Sequence, residues 1–248
     1  MPFFLSPNVQ VDRVNTFNSN IVLISFTERT IAPRNLSDQG FGQDFARKQA
    51  IDGFYVKCAG NHWYQYPEML DALSAIRRAA SGKDIVTYGS SMGAYAAMKF
   101  ASALGAKRAV AISPIFSPDP RKPPFEGRWK TDADQIEFID DTMIGAADTD
   151  AFVLTDPTHA DARHGRLFRA TFPRCTIVAV PFASHPVGHF LREAGLLGDL
   201  VKDLIFGAFD NSRWCRDRRK MRTKSPIYKS RLAEVLGERN PLSTTNAV

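Results

Sequence analysis

The stretch "DIVTYGSSMGAYAAMKFAS", residues 84–102, changes pattern halfway along. Residues 84–88 read as a strand, and the small apolar residues after Met92 read as a helix. Between them stands Gly89-Ser90-Ser91-Met92-Gly93, a Gly-x-Ser-x-Gly match. That pattern gains meaning from its flanks. A serine on a sharp strand-to-helix turn projects its hydroxyl from the end of a sheet, and the glycines remove side chains that would collide there. The N-terminus of the following helix also turns backbone N–H groups toward any negative charge beside Ser91. A purely structural turn is the plainer alternative; the strand before and the helix after favour a nucleophile.

Outward from this turn the rhythm repeats. "IVLISF" (21–26), "GFYVKCA" (53–59), "RAVAIS" (108–113), "AFVLTD" (151–156) and "CTIVAVPF" (175–182) read as buried strands, and "VDRVNTF" (11–17) as an added edge. "PEMLDALSAIRRAA" (67–80) starts a helix at Pro67 with Met69, Leu70, Leu73 and Ile76 at helical spacing. "MGAYAAMKFASALG" reads as a helix ending at Gly105. "ADARHGRLFRA" and "PVGHFLREAGLLGDLVKDLIFGAF" supply later helices. Apolar strands separated by helices imply an α/β fold: a mostly parallel sheet of six or more strands, covered by helices on both faces. The Pro- and charge-rich interval "PIFSPDPRKPPFEGRWKTDAD" (114–134) breaks the rhythm and marks a small lid-like insertion over about 114–146.

Composition bounds the class. At 248 residues, 44% hydrophobic and 23% charged, the chain suits one large globular domain. No apolar run is long enough to span a bilayer, and no signal peptide is read at "MPFFLSPNVQVD". The three cysteines form neither a disulfide framework nor a zinc spacing, so a reducing, cytoplasmic setting is expected. The net charge of +6 is local: residues 213–231 hold nine Lys/Arg against one Asp. The chain therefore divides into a body, 1–210, and a basic C-terminal extension, 211–248. Such a segment can contact an anionic partner, although a solvated terminal helix accounts for it more simply. No dinucleotide, P-loop or paired-histidine metal motif is present, so no cofactor and no metal are expected.

A serine needs a base, and five histidines are available: His62, His159, His164, His185 and His189. His185 follows the last strand in a turn, whereas His189 falls inside the next helix, so His185 is favoured. Asp161 and Asp156 both follow the preceding strand. Asp161 lies in the loop proper and has the better reach toward an imidazole; Asp156, as the second choice, suits a turn brace because Asp-Pro opens turns. An oxyanion site needs two backbone donors: Met92, after the serine, and Phe26 or Thr27 at the end of the 21–26 strand. The "CAGNHWYQYP" loop offers His62, Trp63 and Tyr64 as substrate-lining residues, with Trp129 covering from the insertion.

The strand-GSSMG-helix unit, the aspartates of "TDPTHAD" and the histidine of "SHPVGHFL", in that order, resemble the α/β-hydrolase superfamily over roughly residues 21–206. The likeness is to compact bacterial members without a large helical lid. The resemblance implies a nucleophile, acid and base at Ser91, Asp161 and His185, and a small-molecule acyl ester, thioester or acylated sugar as substrate. It departs from many lipases in lacking a glycine-rich sequence after the 21–26 strand, which reads "ISFTERTIAPRN". Hydrolysis is the first expectation; acyl transfer through the same triad, or a non-catalytic binding role on the same scaffold, are the alternatives.

Overall fold

The structure, a computed structural model, describes residues 1–31 and 35–239. Among these residues eight strands form one sheet: β1 (Phe4–Leu5), β2 (Val9–Val14), β3 (Ile21–Phe26), β4 (Asp52–Cys58), β5 (Asp84–Ser90), β6 (Arg108–Ile112), β7 (Asp150–Thr155) and β8 (Cys175–Ala179). Their order is β1-β2-β4-β3-β5-β6-β7-β8. Strands β3 to β8 pair in parallel, while β2 runs antiparallel to β4 and to β1. The 11–17 segment is thus not the sheet edge, because β1 pairs outside it.

Two-residue periodicity sorts each strand between two cores. Val22, Ile24 and Phe26 of β3 join one cluster and Leu23 the other. The first core is closed by α2 (Met69–Ala79), α3 (Met92–Lys99), α4 (Ala101–Leu104) and α6 (Asp161–Thr171). The second lies under α1 (Gln43–Lys48), α7 (Gly188–Glu193), α8 (Leu197–Phe206), α9 (Asn211–Met221) and α10 (Pro226–Arg239). A short α5 (Lys130–Ala133) sits between β6 and β7. The 186–209 stretch, read as one helix, breaks into α7 and α8 at Gly195, whose φ of +70° ends the first turn series. Likewise the chain relaxes at Phe100 between α3 and α4 before Gly105 ends the second.

The basic segment is not a detached extension. Trp214 and Tyr228 are buried in the second core, and the Trp214 indole donates to the Ala179 carbonyl at 3.1 Å. Part of the charge is used internally: Arg213 meets Asp203 at 2.5 Å, and Arg231 donates to the Thr158 carbonyl at 2.9 Å. The segment's apolar residues, not its charges, decide its position. Residues 240–248 of the expected extension lie outside the described residues. Among the described residues no helix is long and apolar enough to cross a membrane.

The parallel strands all run the same way, so the loops after β3, β5, β6, β7 and β8 gather at one sheet edge. Ligands bind at that edge in open α/β sheets.

Candidate active site

Ser91 follows β5 with φ 52° and ψ −115°, a conformation non-glycine residues rarely adopt. Neighbouring atoms hold it there. Its amide donates to the Ile112 carbonyl at 2.9 Å, and its carbonyl receives the Tyr95 amide at 3.0 Å. The flanking glycines are forced by space. A Cβ on Gly89 would stand 2.2 Å from the Gly93 carbonyl carbon, and one on Gly93 would stand 2.2 Å from the Phe26 carbonyl oxygen. Gly93→Ala is therefore expected to cost at least about 3 kcal/mol, since backbone cannot yield as a flexible side chain can. Thermal melting and soluble yield would check this; a melting temperature equal to wild type would contradict the geometry.

The Ser91 hydroxyl oxygen lies 3.0 Å from His185 Nε2, and His185 Nδ1 lies 2.6 Å from Asp161 Oδ2. Three loop ends thus meet, with Asp161 fully buried at the N-terminus of α6. Burial alone would raise the Asp161 carboxyl's pKa. The close approach of the His159 ring, the hydrogen bond from His185, and the charges of His185 and Arg128 override it and hold the group well below the usual carboxylate range. An ionised Asp161 makes His185 Nδ1 the donor and leaves Nε2 to accept from the serine hydroxyl.

Asp156, the second candidate, does not touch His185. Its Oδ1 accepts from the Phe182 amide at 3.0 Å, and its Oδ2 from the amides of Ala183 and Ser184 at 2.8 Å each. Phe182 and Ser184 both have positive φ, so Asp156 braces the tight turn that presents His185. His189 projects from α7 and lines the same cavity as Ser91.

That cavity has a volume of about 550 Å³. Phe41, Phe45, Tyr88, Ile112, Leu197 and Val201 form an apolar chamber beside Ser91 and His185, and Trp129 also lines it. The Trp129 ring lies 5.7 Å from the His185 ring, with Arg29 stacked on it at 5.5 Å. Arg29 in turn grips Asp132 by two bonds of 2.7 and 2.8 Å, which ties the insertion to the loop after β3.

His62, Trp63 and Tyr64 do not line this cavity. Trp63 and Tyr64 take positive φ and turn inward, becoming nearly inaccessible core. Trp63 donates to Asp132 at 3.1 Å and Tyr64 to the Thr27 carbonyl at 2.8 Å, while His62 pairs with the Tyr66 hydroxyl at 2.9 Å. The loop supports the insertion from beneath and leaves the cavity wall to other elements. Phe26 and Thr27 are also displaced from the expected role: both are buried, and the Thr27 amide is spent on the Val56 carbonyl at 3.2 Å. Glu28 and Arg29, the next two residues, are the ones that line the cavity. Met92 heads α3, where a first-turn amide has no acceptor four residues earlier in the helix.

The groups around Asp161 carry little signal in the sequence. Arg128 Nη2 donates to its Oδ1 at 2.8 Å, and His159 Nδ1 stands 3.1 Å from the same oxygen. His159 is visible between the two aspartates of "TDPTHAD"; Arg128 has no mark beyond its place in a charged insertion. Among the described residues no group of three or more His, Cys, Asp and Glu could hold a metal ion.

With this geometry in place, comparison with solved structures shows a shared fold, the α/β-hydrolase type of mostly parallel sheet with helices on both faces. Est1E from Butyrivibrio proteoclasticus, in a structure with ferulic acid bound, superposes with a TM-score of 0.54 at 14% identity over 81% of this chain and 96% of that one. The capsule O-acetyltransferase of Neisseria meningitidis serogroup A gives 0.55 at 10% identity, over 79% and 93%. A glycosylation-associated protein complex from Streptococcus agalactiae gives 0.52 at 12%, over 81% and 45%. No protein-family profile matches the sequence. No curated protein matches it at a significant level either.

Proposed function

We propose that the protein is a serine hydrolase of small-molecule esters or thioesters, working through an acyl-enzyme on Ser91. The observation that carries this reading is the continuous chain from the Ser91 hydroxyl through His185 to Asp161, 3.0 and 2.6 Å long in its two links, at the wall of an apolar cavity.

His185 Nε2 takes the serine proton as Oγ bonds to the acyl carbon. The carbonyl π electrons move to oxygen, giving a tetrahedral oxyanion. The Met92 amide and a second donor from the Glu28–Arg29 stretch stabilise it. When the tetrahedral species collapses, the bond to the leaving group breaks, and the imidazolium returns its proton to that group. Water then enters, loses a proton to His185 and attacks the acyl carbon; the bond to Oγ breaks, the imidazolium returns its proton to Oγ, and the acid and Ser91 are freed. Asp161 remains ionised throughout and supports the imidazolium in both halves.

The chamber of Phe41, Phe45, Tyr88 and Val201 favours a substrate with an aromatic or short apolar part. Tyr88, His189 and Arg192 line the same space and bring a hydroxyl, an imidazole and a guanidinium to it, so polar substituents have partners. These groups favour a second reading, transfer of the acyl group to a hydroxyl acceptor such as a sugar. The fold likeness to an O-acetyltransferase agrees with it.

Rapid mixing with p-nitrophenyl acetate tests the reading. A burst of about one p-nitrophenol per protein chain is expected, followed by slower turnover. A methyl glycoside would divert the acyl group if transfer dominates, giving acetylated sugar in place of acetate. Background release at every acyl length from two to eight carbons would refute both readings.

A further inference from the structure

The fully buried Asp161 carboxylate carries more than the base. Oδ2 belongs to His185, whereas Oδ1 receives Arg128 and faces His159. Arg128 is itself fixed. Its Nε donates to both oxygens of Glu126 at 3.0 and 3.1 Å, Nη2 also meets Glu126, and the Arg128 amide donates to Glu126 Oε1 at 2.9 Å. Glu126 is buried and lies 2.8 Å from His164 Nε2. His164 Nδ1 accepts the Phe116 amide at 3.1 Å, so its Nε2 holds the hydrogen and donates it to Glu126. His164 stands one turn beyond Asp161 on the same helix. The path from Asp161 through Arg128, Glu126 and His164 therefore returns to α6 and closes on itself. Burial opposes ionisation of Glu126, yet the bonds from His164 and Arg128 and the charge of Arg128 bring its pKa down to about 2.

We propose that Arg128 is a positioning residue which shares the negative charge of Asp161 with His185 and holds the carboxylate in the orientation that meets the imidazole. The 114–146 insertion thereby belongs to the reaction centre as its electrostatic counterweight, besides walling the cavity with Trp129. This inference rests on the proposed Ser91–His185–Asp161 mechanism.

The charge accounting around the imidazole supports the assignment. From the loop after β7 come His159 and Asp156, the latter saturated by backbone amides and the Thr158 hydroxyl. From the loop after β3 come Glu28 and Arg29, with Arg29 neutralised by Asp132 of the insertion. Helix α7 contributes His189 and Arg192, and α6 contributes His164. Among the described residues bonded to Asp161, only Arg128 carries a permanent positive charge. A second cation on the carboxylate disfavours the protonated imidazole, because like charges then share one counter-ion. Removing that cation leaves the whole carboxylate charge to His185, and the base is captured by a proton at higher pH.

The test uses the full chain with Arg128→Gln, Arg128→Met and Arg128→Lys. For kcat/KM on p-nitrophenyl acetate, the acid limb is expected to move up by about 0.5–1 pH unit in both neutral variants and to stay near wild type with lysine. The Arg128 side chain is 32% exposed, and solvent screening keeps the shift in this range. A limb that stays put or moves down in the neutral variants, with only the plateau lowered, would overturn the proposal in favour of a packing role. Two neutral replacements of different polarity guard against one that does not fold. NMR titration of the His185 ring in a Ser91→Ala background gives a readout independent of turnover. An upward midpoint shift there without Arg128 supports the proposal even if no ester is hydrolysed, and an unchanged midpoint rejects it.

Discussion

Ser91→Ala is expected to lower kcat/KM for an activated ester by about 10⁴-fold or more, and to abolish covalent labelling by a fluorophosphonate. The size follows from the division of labour in the proposed mechanism. Without Oγ there is no acyl-enzyme, and His185 can only assist a water that the site does not hold in line. The residual rate comes from the oxyanion donors and from binding, which alanine leaves in place. Alanine can take the same positive φ as the serine at similar strain, and it loses one hydrogen bond to His185. The variant should therefore melt near the wild-type temperature, so loss of activity cannot be charged to loss of fold. Intact-mass analysis after probe treatment reads the outcome: one adduct on wild type, none on the variant. An adduct of equal yield on Ser91→Ala would move the nucleophile elsewhere and end the proposed mechanism.

Strand-to-helix turns depend on local chemistry, which is why this one is legible in the sequence alone. Residues 84–102 contain all of it: a buried strand, two glycines with no room for a Cβ, and a small-residue helix face. The chain order of Ser91, Asp161 and His185 is likewise a property of consecutive parallel strands, each delivering a loop to one edge. Long-range assignments fared worse. Trp63 and Tyr64 look like loop aromatics, yet backbone φ values of 51° and 60° fold them inward, and no residue pattern announces that reversal. Arg128 reaches Asp161 across 33 positions of sequence because the insertion is pinned by Arg29–Asp132 and by Glu126–His164. Each pair is legible as two polar residues and nothing more until the path between them is known. The C-terminal segment misleads for another reason: its charge dominates the composition, while Trp214 and Tyr228 decide where it packs.

Asp161→Asn should be nearly as severe as loss of the serine, about 10⁴-fold in kcat/KM, and the surroundings determine why. Asparagine offers one acceptor oxygen and one donor NH₂ where the carboxylate offers two acceptors. Arg128 has only donors and points one at the Oδ1 position. The amide oxygen must therefore turn to Arg128, which places the NH₂ against His185 Nδ1. That nitrogen must then accept, so the hydrogen moves to Nε2, where it opposes the Ser91 hydroxyl and the proton of the nucleophile has nowhere to go. The defect is one of tautomer, with the ring left in place. It follows that Arg128→Gln should make the asparagine variant less defective than two independent losses would predict, because a glutamine there no longer dictates which way the introduced amide turns. Steady-state rates for the two single variants and the double variant form the cycle, and a coupling of several-fold in this direction is expected. Strict additivity would mean that the amide orientation is set by something other than the guanidinium, and His159, 3.1 Å from the same oxygen, would be the next residue to replace.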